Sequence, residues 1–367
     1  RRSLCIFVGG GLHGKVPYSM QKDSAQKQRV LVWGACGFIG RHLVSRLLAE
    51  GASVRVLTWS RSRYEAPEWA SAVEWFELSG SPADDAVLEE AIAASDIIYN
   101  LAGSSGAVAS NRDPLHSLET ICRSQLEFLR ACEGTGSRPH VVFASSRLVY
   151  GRPARLPVSE EAPLAPLSMY AVHKISAESY HQIYGRRGAI TFAICRMSNP
   201  YGAEKQPRAK GYGVINALIR QAVEGRPMTI YGDGRQQRDY IHIRDLVTAL
   251  WLAGCRSEAR NEIFNIGRGT GITLREAAET IQQLTGCPEL RFAPWPAEDL
   301  SVESGDFVAD IRKAKRLLGF APEYDFLAGV RQVLEEITAT ADMESSATVA
   351  HSPCCNDLED YEESRLT

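Results

Sequence analysis

From residue 30 to residue 51 the chain passes from a four-residue apolar run (Val30, Leu31, Val32, Trp33) directly into Gly34, Gly37 and Gly40. Apolar residues at helical spacing overlap and follow (Phe38, Ile39, Leu43, Val44, Leu47, Leu48), and Gly51 closes the segment. A short continuous apolar run predicts a buried parallel strand, and the later periodicity predicts a helix ended by glycine. Few folds accept a glycine turn between such a strand and such a helix. The glycines permit a tight turn and close backbone approach, and the free N–H groups opening the helix attract phosphate. The spacing is G-x-x-G-x-x-G, and its flanks make it a pyrophosphate site for a dinucleotide, with Gly34, Gly37, Phe38, Ile39 and Gly40 around the cofactor.

The rest of the first half repeats the alternation. Strands are expected at 53–58, 72–78, 96–101, 140–145 and 189–195, with helical patterns at 84–94 and 114–133. Strands alternating with helices imply an α/β protein with a doubly wound parallel sheet, whose ligand crevice lies at the carboxyl ends of the strands. Beyond residue 199 glycine and proline become frequent and the elements shorten. Helices at 213–224, 243–253, 273–285 and 311–318 suggest a smaller mixed α/β domain over 199–340 that caps the crevice. A strand at 261–267 is expected to return to the main sheet. Residues 1–28 read as a loose extension, and 341–367, rich in Ser, Thr and acids, as a disordered tail.

Composition narrows the function. The net charge of −3 gives no basic field for nucleic acid or an anionic membrane. No apolar run approaches the ~18–20 residues of a spanning helix. The apolar core near the first residue is too short for an export signal. Nine cysteines without Cys-x-x-Cys spacing suit a reducing, cytoplasmic setting, and eight scattered histidines indicate no metal site.

Two segments carry chemistry. Tyr170-Ala-Val-His-Lys174 opens a helix, placing tyrosine and lysine one turn apart on one face. A lysine ammonium near a phenol favours phenolate and lowers its pKa from ~10, which makes the tyrosine a usable acid or base. Ser145-Ser146 end the fifth strand, where the crevice should be, and a hydroxyl there could orient a substrate oxygen. At the end of the second strand stand Thr58-Trp59-Ser60-Arg61-Ser62-Arg63, with no acid for a ribose 2′-hydroxyl. Arg61 and Arg63 would suit a 2′-phosphate, which leans toward NADP.

Together these motifs make the sequence resemble an extended short-chain dehydrogenase/reductase of the nucleotide-sugar epimerase/dehydratase family, closest to UDP-glucose/galactose 4-epimerase-like members, over residues 29–337. The marks are Gly34-x-x-Gly37-x-x-Gly40, Asn100-Leu-Ala-Gly103, Phe143-Ala-Ser-Ser146-Arg-Leu-Val-Tyr150-Gly151, Tyr170-x-x-x-Lys174, Arg196-Met-Ser-Asn199-Pro-Tyr-Gly202, Gly232-Asp-Gly234 and Arg238-Asp-Tyr-Ile-His-Ile-Arg-Asp245. The resemblance implies a Rossmann-type sheet and a catalytic set of Ser146, Tyr170 and Lys174. It places Ala102, Tyr170 and Lys174 with the glycines against the cofactor. It gives Ser146, Asn199 and Arg238 to the diphosphate-sugar, and Val214 and Tyr231 to the base pocket. By family analogy the partners are a nucleoside-diphosphate sugar and a second copy in a homodimer; the family lean is to NAD.

The departures matter as much. The family's 4,6-dehydratases carry Thr-Asp-Glu where this chain has Ser146-Arg147-Leu148, so water elimination lacks its acid and base. Many 4-epimerases also have an arginine on the diphosphate shortly before the final Asp-x-x-Lys-Ala segment, and none stands between Pro294 and Asp310. Arg147 reads equally as a substrate-facing or a surface arginine. His173 should point off the catalytic face, and His242 and Asp245 should brace the cap. The reading is a nucleoside-diphosphate-hexose 4-epimerase working by transient oxidation at C4. The alternative is an NADPH-dependent 4-ketoreductase of a nucleotide-linked 4-keto-6-deoxyhexose. An intact Ser146, Tyr170 and Lys174 set argues against a non-catalytic NAD(P)-binding protein.

Overall fold

The computed structural model describes residues 28–59, 66–79, 84–104, 106–204, 213–286 and 289–350. Six strands come first: β1 (Arg29–Trp33), β2 (Ser53–Thr58), β3 (Glu74–Glu77), β4 (Ile97–Asn100), β5 (His140–Ser146) and β6 (Thr191–Met197). Shorter strands follow: β7 (Asn199–Tyr201), β8 (Met228–Tyr231), β9 (Gln237–Arg238) and β10 (Tyr240–His242). The last three are β11 (Glu262–Ile266), β12 (Ile272–Thr273) and β13 (Leu290–Ala293). The main sheet is entirely parallel, in the order β11-β6-β5-β4-β1-β2-β3. Strand order reverses at β1, with β2 on one side and β4 on the other. That switch point, at the carboxyl ends, is where an open α/β sheet parts to admit a ligand.

Alternation along the strands divides the core. Val30 and Val32 of β1 face one layer, Leu31 and Trp33 the other. Helices α1 (Phe38–Ala49), α2 (Asp84–Ala93), α3 (Ala107–Arg112), α4 (Pro114–Leu118), α5 (Ser124–Thr135) and α6 (Met169–Arg186) connect the first six strands. Of these, α2, α5 and α6 cover the Leu31 face. A π-helical turn at Glu119–Arg123 splits the long helix expected over 114–133. Its Thr120 hydroxyl pairs with Ser104 at 2.8 Å, beside the crevice, where such irregular turns are often found.

The later helices are α7 (Gly213–Val223), α8 (Ile243–Cys255), α9 (Leu274–Thr285), α10 (Ala297–Ser301), α11 (Arg312–Leu318) and α12 (Phe326–Ala350). A single cut at 199 does not describe them. α8 and the end of α11 lie in the core of the main sheet, against Val30, Val32 and α1. β11 pairs with β6 at the sheet edge. Along α8 nearly every residue from Ile243 to Gly254 is buried, which an all-round apolar sequence requires. A separate smaller core is built from α7, α9, β8, Tyr240 and the first turns of α12. The two units therefore interleave along the chain. α12 also runs to Ala350, past the tail expected from 341, because Ala, Met and Glu in 341–350 are strong helix formers. Residues 1–27 of the extension expected over 1–28, and residues 351–367, lie outside the described residues.

Candidate active site

The glycine turn has the close backbone approach that a dinucleotide cradle needs. Gly34 adopts φ +88°, and a Cβ there would come within 3.1 Å of the Ala102 amide nitrogen. At Gly40 a methyl would overlap the Gly34 carbonyl oxygen, so the first turn of α1 is packed onto the loop that feeds it. Gly37 is the N-cap of α1 and offers no side chain to the N–H groups of Phe38 and Ile39. The positive end of the helix favours a phosphate at this turn. The residues fit the cofactor: Gly34, Gly37, Phe38, Ile39 and Gly40 line one turn, with Ala102 against it. The second strand ends at Thr58, and Trp59 beyond it is half-exposed, with no acid. Arg61 and Arg63 lie outside the described residues.

Across the crevice, α6 starts at a serine N-cap, Ser168, whose hydroxyl accepts from Ala171 N at 3.3 Å. Short helix α3 steadies the same end: Ser110 Oγ accepts from the Tyr170 amide and Asn111 Oδ1 from that of Met169, both at 2.9 Å. Lys174, one turn on, is buried. Its Nζ donates to the Ala144 carbonyl at 2.7 Å and lies 4.8 Å from the Phe143 ring and 5.8 Å from the Tyr170 ring. Burial pushes the lysine down to about 8, against an opposing pull from Glu178. Ser146 closes β5 and turns into the next segment, its Oγ accepting from Leu148 N at 3.2 Å. Ser146, Tyr170 and Lys174 thus come from the end of β5 and from the facing turn of α6. His173, on the other side of that helix, is buried against Ser117 Oγ at 2.9 Å.

Beneath this set runs a polar network the sequence did not announce. Glu178 and Arg196 form an ion pair at 2.7 Å with both side chains almost fully buried. Glu178 also accepts from Ser145 Oγ. Arg196 reaches the Tyr150 hydroxyl at 3.0 Å, which donates to Asn265 Oδ1 at 2.7 Å. One chain of bonds therefore joins β5, α6, β6 and β11 under the carboxyl end of β5.

A second polar group is assembled from four distant stretches. Asn199 donates to the Asp239 carbonyl at 3.0 Å and accepts from Arg147 Nε at 2.9 Å. Arg238 is buried and paired with Glu303 while also donating to the Gly305 carbonyl. Arg147, read from sequence as equally a surface residue, is 8% exposed and points inward. Val214 and Tyr231 are partly exposed, with Tyr231 against the Trp295 ring at 5.8 Å. His242 lies 4.3 Å from the Tyr324 ring, and Asp245 accepts from the Glu323 and Tyr324 amides at 2.9 and 3.0 Å. Both residues hold the chain entering α12. Among the described residues there is no cluster that could hold a metal, no helix long and apolar enough to cross a membrane, and no paired cysteine.

A parallel sheet with a glycine-cradled helix at its switch point, and with Ser146 at the end of β5 and Tyr170 and Lys174 on α6, is the architecture of a dinucleotide-dependent enzyme. The chain belongs to the NAD dependent epimerase/dehydratase family, whose model matches residues 30–267. A putative UDP-glucose 4-epimerase of Methanocaldococcus jannaschii is 31% identical over 83% of this chain and 97% of its own length. A UDP-glucuronic acid decarboxylase of Arabidopsis thaliana is 28% identical, over 89% of this chain and 73% of that protein. The structure of a UDP-glucose 4-epimerase of Thermotoga maritima with UDP-glucose superposes with a TM-score of 0.77 at 26% identity, covering 86% of this chain and 100% of that one. The protein is an enzyme that acts on nucleotide sugars.

Proposed function

We propose that the protein is a 4-epimerase of a nucleoside-diphosphate hexose that keeps its dinucleotide bound between turnovers. The observation that carries this reading is a chain that has Ser146, Tyr170 and Lys174 but Arg147 and Leu148 where an elimination enzyme would add a carboxylate pair. A site with one phenol as its acid and base, and no second acid beside it, suits moving a single proton on and off one hydroxyl. Tyr170 takes the proton from the C4 hydroxyl and returns it. Ser146 orients that hydroxyl. Lys174, held by the Ala144 carbonyl, places a positive charge beside the phenol ring and favours phenolate. When bound, the dinucleotide supplies reversible hydride acceptance at C4. Asn199 and Arg238 anchor the substrate's diphosphate, leaving the sugar free to present either face. Relatives named for UDP sugars support a uridine nucleotide.

The cofactor choice separates this from a second reading. The absence of an acid after Thr58 favours NADPH and a 4-ketoreductase of a 4-keto-6-deoxyhexose sugar nucleotide, whereas the family favours NAD. Mass spectrometry of the dinucleotide released on denaturation, together with UDP-galactose formation from UDP-glucose, tests both. Stoichiometric NAD(H) with interconversion is expected. An empty protein that prefers NADPH, or release of carbon dioxide from UDP-glucuronic acid without interconversion, would sink the epimerase reading. Tyr170→Phe should abolish turnover while leaving NAD bound. Leu126 of α5 and Val172 and Ile183 of α6 are exposed on neighbouring helices, which supports a homodimer through that face.

A further inference from the structure

Arg147 and Arg238 are both buried and meet the same segment, Arg147 at Ser304 and Arg238 at Glu303 and Gly305, close enough for Arg238 to repel the charge on Arg147. Their partners are unequal. Arg147 donates to two neutral groups, Asn199 Oδ1 at 2.9 Å and Ser304 Oγ at 2.8 Å, and its guanidinium stands 5.3 Å from the Phe307 ring centre. Its hydrogen bonds and ion pairs among the described residues include no carboxylate. Arg238 holds Glu303. The other nearby acid, Asp239, is occupied by the amides of Arg268, Gly269 and Ala309 and by Ser198. Buried charges ordinarily come with a counter-charge, because burial without one is costly. The site thus holds two guanidiniums and one carboxylate paired to them, that of Glu303. Burial, with the Arg238 charge, pushes Arg147 down to about 9, as expected for a cation short of an anion. Tyr240 adds a buried hydroxyl that has no hydrogen-bond partner among the described residues, in the same electrostatic neighbourhood.

We propose that Arg147 and Arg238 together form the clamp that receives the substrate's diphosphate, and that Glu303 is a resident counter-ion which leaves Arg238 when the diphosphate arrives. The inference rests on the nucleotide-sugar reading and assigns a residue and a competitor to it. Glu303 suits the role because it is the more exposed partner, at 20% against 8% for Arg238, and so can swing toward solvent. Two anionic phosphates match two guanidiniums, whose planar forks bind such oxygens in pairs. Arg147 is a specificity-determining residue, adjacent in the chain to Ser146, so the same segment grips the diphosphate end of the substrate and orients its reacting end.

The test is calorimetric titration of the full chain with UDP, with uridine and NAD as controls that lack or bypass the clamp. R147M should weaken UDP about tenfold or more while uridine and NAD are unchanged. R147K, which keeps the charge and loses the fork, should recover part of the loss. E303Q should tighten UDP about threefold or more, since the ligand no longer competes with a carboxylate. UDP binding to R147M within twofold of wild type would remove Arg147 from the clamp. Weaker binding by E303Q would make Glu303 an orienting partner and overturn its role as competitor. Should R147M fail to hold NAD, R147K and E303Q decide. A wild-type protein that binds neither UDP nor any other nucleoside diphosphate nor pyrophosphate would overturn the functional reading as well, whereas an unaffected R147M overturns the clamp alone.

Discussion

Glu178→Gln tests how the buried network supports the active site. The substitution keeps side-chain shape but removes the charge facing Arg196, which Glu178 meets at 2.7 Å with both oxygens engaged. The exposures of the two side chains, 4% and 2%, leave solvent no part in screening the pair. Removing one partner strands a buried guanidinium, and such losses run to about 3–5 kcal/mol. The Tyr150 hydroxyl and the Glu160 carbonyl remain on Arg196 and hold the cost toward the lower end. The second effect is catalytic. Glu178 lies one turn from Lys174 and opposes the burial that brings the lysine to about 8. Without that carboxylate the folded pKa falls further, so less ammonium survives at a given pH. The basic limb of kcat/KM should then move to lower pH. Urea unfolding at fixed, saturating NAD reads the first effect and a pH–rate profile reads the second. A loss below about 1 kcal/mol, or an unmoved basic limb, would refute the reasoning.

Gly40→Ala should strip the bound dinucleotide, because the added methyl overlaps the Gly34 carbonyl oxygen and must push α1 off the loop. Absorbance and mass spectrometry of the purified variant would read the loss, and retention of stoichiometric cofactor would contradict the packing argument. Stability should fall as pH drops below about 6.5, the ordinary histidine value. His181 and His242 are buried neutral with pKa values pushed down to about 4 and about 3, so the unfolded chain binds protons first. His242→Leu should flatten that fall, since neither ring nitrogen of His242 has a hydrogen-bond partner among the described residues; an unchanged pH dependence of the urea midpoint would remove His242 as its source. Light scattering should give a dimer for the wild type and a monomer for Leu126→Lys with Val172→Lys; a wild-type monomer would remove the α5–α6 face as an interface.

What could be read along the chain was local. The glycine cradle follows from steric rules acting over seven residues, and the helix period alone puts Tyr170 above Lys174. The order of strands and helices was enough for a parallel sheet with its crevice at the strands' carboxyl ends. The family followed from motifs of the same short range. Tertiary structure decided the rest, because the partners lie far apart in sequence. Arg147 gave no sign of direction until Asn199 and Ser304 were placed against it, and Arg238 showed no carboxylate until residue 303 was folded beside it. Glu178 and Arg196 sit on a helix and the next strand, and only the crossover brings them together. Helix α8 follows the cap's first strands yet packs under the sheet, because its all-round apolar surface needed more cover than the smaller unit could supply. Charge and hydrophobicity are properties of residues; which charge is neutralised, and which face is covered, are properties of the fold.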